Sequence, residues 1–174
     1  MYKTGRAFLD DGKYEEAEQV FRQGVNQGDP RCAYGLFVAL LARGMITEQA
    51  VEEFIEHLPE IMELANEGDA AALFIIGRCY ETGCGLCQNL SEAIRCYQIA
   101  SARGNIDAHF NLGCIYTFEK SVEDRKKGLA HFRVAAAFGS REAAYNLEKL
   151  SRQTKYEQVQ AREKQGEKPE KGGT

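Results

Sequence analysis

The chain has 174 residues, 44% hydrophobic and 28% charged, with a formal net charge of −4. That length suffices for one ordinary domain, and the negative balance argues against a general nucleic-acid binder. No apolar run approaches the ~20 residues needed to span a bilayer. The opening MYKTGRAFLDDGKYEEA lacks the apolar core of a signal peptide, so a cytoplasmic location is expected.

In chain order, the first predicted repeat carries Gly5, Phe8, Ala17, Phe21 and Gly24. It has a turn at Gly12, then an amphipathic helix, and it ends near Gly28-Asp29-Pro30. A second repeat runs from Cys32 to Gly68. Its second helix contains Pro59, and an interior proline costs a helix ~3 kcal/mol. A break near His57–Pro59 is therefore expected.

The third and fourth repeats are near copies. Residues 72–104 read ALFIIGRCYETG…NLSEAIRCYQIASARG, and residues 108–139 read AHFNLGCIYTFE…DRKKGLAHFRVAAAFG. Ala72 matches Ala108, Gly77 matches Gly113 and Tyr80 matches Tyr116. After a one-residue deletion, Tyr97 matches Phe132, Ala100 matches Ala135 and Gly104 matches Gly139. A period of about 35 residues with two helical patterns per repeat signals an α-solenoid. Single repeats cannot bury their apolar faces alone, so they stack. Ala143, Tyr145, Asn146 and Leu147 open a fifth repeat that has only its first helix.

Each repeat junction pairs a glycine with a capping residue: Gly28-Asp29, Gly68-Asp69, Gly104-Asn105 and Gly139-Ser140. The glycine ends one helix in the left-handed conformation. The Asp, Asn or Ser side chain accepts from a free N–H of the next helix. Asn89 and Asp124 are expected to cap the second helices of repeats three and four. Gly77, Gly113, Ala100 and Ala135 let helices approach closely, with Tyr80, Tyr97, Tyr116 and Phe132 filling the space between repeats. From Gln153 the apolar pattern fades, and KQGEKPEKGGT has no apolar residue and reads as disordered. The expected organisation is a solenoid over 1–153 and a polar extension over 154–174, helical and then disordered.

The motif A-x-F-N-L-G-x-x-Y, followed by a turn and F-R-V-A-A-A-F-G, resembles the Sel1-like repeat, a relative of the tetratricopeptide repeat. Residues 69–139 carry two good copies. Residues 1–30 look more like a tetratricopeptide repeat, and residues 31–68 and 140–150 are weaker copies. The family's G-x-G-V turn is Gly83-Cys84-Gly85-Leu86 in the third repeat. In the fourth it is Glu119-Lys120-Ser121-Val122, without either glycine. The resemblance implies an all-α, right-handed α-α superhelix of about four and a half helix-turn-helix repeats. It also implies an adaptor or scaffold that binds another protein or peptide, and no catalytic residues.

In such superhelices the first helix of each repeat lines the concave groove. Helical spacing then places Arg6 and Asp10 there in repeat one, and Phe74, Arg78 and Glu81 in repeat three. It places Phe110, Asn111, Cys114 and Thr117 there in repeat four, and Tyr145, Asn146, Lys149 and Arg152 in repeat five. Asn111 and Asn146 occupy equivalent positions. In related tetratricopeptide repeats an Asn at the matching position grips the ligand backbone, which suits an amide that both donates and accepts. Arg78, Lys149 and Arg152 make the groove's C-terminal half basic, suited to an acidic peptide or a terminal carboxylate. Charge is also uneven along the chain. No Lys or Arg lies between Gly44 and Gly77, a stretch that carries Glu48, Glu52, Glu53, Glu56, Glu60, Glu63, Glu67 and Asp69, whereas 120–155 is rich in Lys and Arg.

Six cysteines are present, and without a signal peptide they are expected reduced. Cys84-Gly-Leu-Cys87 is a C-x-x-C pair, the basis of an alternative reading as a metal- or redox-sensing solenoid. A second alternative is a subunit that docks through its open repeat end. The three histidines, His57, His109 and His131, are assigned to different repeats, and no catalytic cluster follows from spacing. The expectation is a monomeric, non-enzymatic protein with no cofactor, no nucleic-acid partner and no membrane insertion.

Overall fold

The computed structural model describes residues 1–118 and 121–164, with side chains except at Val122 and from 154 onward. Among the described residues the chain forms ten helices and no strand: α1 (Tyr2–Asp10), α2 (Tyr14–Asn26), α3 (Arg31–Ala42), α4 (Glu48–Glu56), α5 (Leu58–Glu67), α6 (Ala70–Thr82), α7 (Leu90–Ala102), α8 (Ile106–Phe118), α9 (Val122–Ala137) and α10 (Arg141–Lys164). These make two compact units, Met1–Ala108 and His109–Thr174. The expected tail from 165 and the loop residues Glu119 and Lys120 lie outside the described residues.

The helix boundaries follow from local chemistry. Each junction glycine is left-handed, with φ of 80° at Gly28, 91° at Gly68, 85° at Gly104 and 97° at Gly139. Asp69 Oδ1 then accepts from the Ala72 N–H at 2.8 Å, Asn105 Oδ1 from Ala108 at 2.8 Å and Ser140 Oγ from Ala143 at 3.2 Å. Asn89 caps α7 as expected, accepting from Ser91 and Glu92. The expected cap at Asp124 is a correction. α9 begins earlier, so Ser121 is the cap, accepting from Glu123 and Asp124 at 3.2 Å each. Asp124 lies in the first turn and pairs with Lys127 at 3.1 Å.

The break in repeat two occurs where the sequence places it. α4 ends at Glu56, and Pro59 sits in the first turn of α5, where no intrahelical N–H is required.

In the first unit the junctions are also stitched to one another. Arg31 bonds Asp29 at 2.9 Å and reaches Asp69, the cap of the next first helix, at 2.7 Å. Asn105 Nδ2 donates to Ala70 O at 3.3 Å, so one cap also holds the preceding first helix. The apolar side chains beneath are close-packed. Phe21, Phe54, Ile61, Ile75 and Tyr97 are each 1% exposed or less. In the second unit Phe132, Ala135 and Ala143 are buried, with Phe110 and Cys114 of α8 and Leu147 of α10 packed against them.

The aromatic assignments divide. Tyr97 and Phe132 are core residues, as expected. Tyr80 and Tyr116 are only half-buried. Tyr116 still meets the second helix of its repeat, its ring stacked on His131 with centroids 5.8 Å apart.

Candidate functional site

The candidate surface is the face made by the first helices. In the first unit α3 lies against both α1 and α6. Their shared face carries arginines among tyrosines and carboxylates. Arg6 Nη2 donates to Asp107 Oδ2 at 2.7 Å and stands 3.5 Å from Asp10 Oδ1. This joins α1 to the first turn of α8 across 101 residues of sequence. Arg78 Nη1 donates to Glu81 Oε2 at 2.8 Å, and the Tyr97 hydroxyl donates to the same oxygen at 2.7 Å.

Burial and charge act together on this face. Burial works against the Arg6 charge, but Asp107, Tyr2 and Asp10 outweigh it and raise its pKa. Arg78 behaves the same way: burial opposes its charge, and the neighbouring Tyr34, Tyr97 and Glu81 more than restore it. Burial lifts the Tyr34 hydroxyl above the usual phenol range, against the opposing pull of Arg78. Both arginines therefore remain cationic and are already engaged by acceptors of this chain.

Phe74 requires correction as a groove residue. It is 5% exposed, with its ring 6.4 Å from Tyr34 and 5.9 Å from Tyr97. It bridges aromatic rings of neighbouring repeats and presents no surface to a ligand. Its expected neighbours Arg78 and Glu81 are 35% and 28% exposed at their side chains, and bonded to each other.

In the second unit α8 and α10 both pack on α9. Phe110 is half-buried with its ring 5.8 Å from Phe132, so it contributes mainly to packing. Cys114 packs against the same cluster. The Thr117 hydroxyl is spent on its own helix, donating to Gly113 O at 2.8 Å. Asn111 and Asn146 are half-buried, and Tyr145 and Lys149 are exposed, Tyr145 by 66%. Among the described residues no hydrogen bond engages the amides of Asn111 and Asn146. Arg152 bonds Glu148 at 2.5 Å.

A histidine pair escaped the sequence reading, which placed all three histidines in different repeats. His109 Nδ1 and His131 Nδ1 are 3.0 Å apart, and Tyr116 stacks on His131 at 5.8 Å. Burial, and then His109, hold the His131 imidazole below its ordinary range. The signal was available: His131 precedes Phe132, and Phe132 docks on Gly113, one turn after His109.

The C-x-x-C pair lies in the α6–α7 loop, with Cys84 half-buried and Cys87 exposed. Cys79 and Cys96, which flank the pair in sequence, are buried in helices. Among the described residues no group of three or more His, Cys, Asp or Glu is placed to hold a metal ion. No described helix is long and apolar enough to cross a membrane.

Comparison with known proteins adds the following. No family model matches the chain. The DAP3-binding cell death enhancer 1 of Mus musculus is 31% identical over 111 residues, and that of Rattus norvegicus is 28% identical over 111 residues. Each match covers 64% of this chain and 21% of the relative, so the chain spans about a fifth of those proteins. Among solved structures, a protective antigen of uropathogenic Escherichia coli with an SLR fold superposes with a TM-score of 0.55 at 29% identity. That likeness covers 75% of this chain and 27% of the antigen. A Sel1 repeat protein from Oxalobacter formigenes gives a TM-score of 0.54 at 21% identity, covering 86% of this chain and 61% of that one. Its ten described helices, its glycine-capped junctions and these likenesses agree: the chain folds as an all-α helical repeat solenoid similar to those of Sel1-repeat proteins.

Proposed function

We propose that this chain is a protein-interaction scaffold, and that the first-helix face of its second unit receives an extended partner segment. One observation carries the site: Asn111 and Asn146 occupy matching positions on α8 and α10, and neither amide is bonded among the described residues. Each amide can donate to a peptide C=O and accept from a peptide N–H at once. Exposed Tyr145 and Lys149 beside them supply a stacking surface and a cation. A segment with a carboxylate near Lys149 fits best.

The first unit plays a different part in this reading. Arg6, Arg78 and Glu81 are engaged by partners within the chain, so they hold the scaffold's shape and leave capture to α8 and α10. The curated relatives carry DAP3 binding in their name, which supports a protein partner here and makes DAP3 the first probe.

The test is capture of purified DAP3, and of partners from a native lysate, by the wild type and by the Asn111→Ala, Asn146→Ala double variant. Loss of two hydrogen bonds at about 0.5–1.5 kcal/mol each predicts roughly tenfold weaker capture. Equal capture by a folded double variant would remove this face as the site.

A further inference from the structure

We propose that His109 and His131 form a two-imidazole site for a divalent transition-metal ion, Cu(II) ahead of Ni(II) and Zn(II), held between α8 and α9. This goes beyond the scaffold reading above and uses none of the residues assigned to partner capture.

The two nitrogens that face each other are both Nδ1, and they stand 3.0 Å apart on different helices. Bonds from a metal ion to imidazole are about 2.0–2.1 Å long. An ion bonded to both nitrogens at this spacing then makes an angle of roughly 91–97° with them. That is the cis angle of a square-planar or tetragonal ion. A tetrahedral ion would need nitrogens roughly 3.3–3.4 Å apart. Imidazole suits copper, nickel and zinc, but the angle and the intrinsic affinity order both put Cu(II) first. As the pair stands, one ring gives its N–H to the lone pair of the other, since a neutral imidazole has one of each. On binding, the shared proton leaves Nδ1 and the same ring takes one up at Nε2 from water. Both Nδ1 lone pairs then face the ion, and neither ring changes charge.

Packing holds the helices at this spacing. A Cβ on Gly113 would stand 2.5 Å from Cδ1 of Phe132, and one on Gly128 would stand 2.6 Å from Cγ2 of Thr117 and 3.0 Å from Gly113 O. His109 lies one turn before Gly113, and His131 lies between Gly128 and Phe132. The imidazoles therefore start from two helices locked close together rather than from a loop, as a preformed site requires. Tyr116 stacks on His131 with 19° between the rings, which restrains the imidazole. Both histidines are half-buried, so an ion can reach them from solvent. Lys127, 5.8 Å from the Tyr116 ring, is paired with Asp124 at 3.1 Å and brings little net charge to the neighbourhood. Among the described residues no third His, Cys, Asp or Glu joins the pair, so water fills the other coordination positions. The ion is thus exchangeable, unlike one in a closed four-ligand structural site.

The probe is Cu(II) alone, added to the full chain at pH 7.5 and followed by electron paramagnetic resonance. Accessible thiols also take up copper, so the reference protein carries Cys84→Ser and Cys87→Ser. One bound equivalent is expected, with hyperfine splitting from two equatorial nitrogens. His109→Gln or His131→Gln in that background should weaken the site by about tenfold or more, since removing even a hydrogen-bond partner of a ligand costs about 10–100-fold. His57→Gln, at the break between α4 and α5, should leave binding unchanged. Equimolar Zn(II) should displace less than half of the copper. Binding that survives both His109→Gln and His131→Gln, a spectrum with fewer than two nitrogens, displacement of most of the copper by Zn(II), or no bound equivalent would overturn the proposal. Should one of the two variants fail to fold by circular dichroism, the other decides. Should both fail, the nitrogen count of the reference protein decides.

Discussion

A Cβ placed on Gly77 would stand 2.6 Å from Cε1 of Tyr97 and 2.7 Å from its Cδ1. The ring of the second helix thus occupies the space that any larger residue on the first helix would claim. Gly113 and Phe132 repeat the relationship in the second unit at 2.5 Å, and Phe21 meets both Gly5 and Gly35 in the same way. The solenoid is built on this ring-on-glycine contact. At the matching position of α10 the residue is Glu148, so no aromatic ring can seat there in the same register.

Tyr97→Ala should therefore remove a fully buried ring of the first unit, at a cost of about 3–5 kcal/mol. Gly77→Ala should cost about 1–3 kcal/mol by overpacking the same contact from the other side. Urea unfolding midpoints check both. A Gly77→Ala protein as stable as wild type would show that the ring moves aside freely and that the contact does not set the helix spacing.

The His109–His131 pair gives a pH dependence with a defined sign. His131 has its pKa lowered from 6.5 by burial first and by His109 second. The unfolded chain then binds the proton more readily than the folded one. Stability contributed here is complete above about 6.5 and is lost as pH falls from there toward the depressed folded value. Tyr116 is stacked on His131, and Lys127 stands 5.8 Å from the Tyr116 ring. The stability advantage of wild type over His131→Gln should shrink as pH is lowered from 7.5 to about 5. A constant difference across that range would mean that the imidazole titrates as it does in water.

Thiol chemistry should sort by burial. Cys32 and Cys79 are 0% and 1% exposed, and burial pushes each thiol up to about 12. Burial also raises Cys96 and Cys84. Only the thiolate reacts quickly. With a thiol-reactive dye on native protein near pH 8, exposed Cys87 should label first, and Cys32 and Cys79 only after unfolding. Peptide mapping that finds Cys79 among the early sites would contradict the packing of α6.

The repeat period, the capped junctions and the break at Pro59 were legible because they are local. A glycine and a capping side chain act on their immediate neighbours, and a proline acts on its own turn. The ring-on-glycine contacts were partly legible through the matched Gly77/Gly113 and Tyr97/Phe132 pairs. Phe74 was misplaced because its helix is apolar nearly all round, from Ala72 to Gly77, leaving no polar stripe to mark the outward side. The self-pairing of Arg6 with Asp107 could not be read at all. It depends on how far three repeats carry α1 toward α8, a distance that no single repeat encodes. The histidine pair was missed for a smaller reason: the two residues belong to one repeat but lie on successive helices, 22 residues apart.

The two first-helix faces should respond differently to substitution, and this separates shape-holding residues from capturing ones. Arg78 serves the half-buried Glu81 and lies beside the buried Tyr34, so Arg78→Ala leaves those groups short of a partner. A cost of about 1–3 kcal/mol is expected. Tyr97→Phe should cost less, about 0.5–1.5 kcal/mol, since Glu81 keeps its arginine. In contrast, Asn111→Ala, Asn146→Ala and Lys149→Ala remove no bond among the described residues and should each leave the unfolding midpoint nearly unchanged. Lys149→Glu should weaken capture of a partner segment bearing a carboxylate, and more so at low salt, where charge acts over a longer range. Thermal melts and capture assays on the same six variants give both readouts. Substantial destabilisation by Asn111→Ala or Asn146→Ala would make those amides structural, and the capturing face would then have to be sought elsewhere on the solenoid.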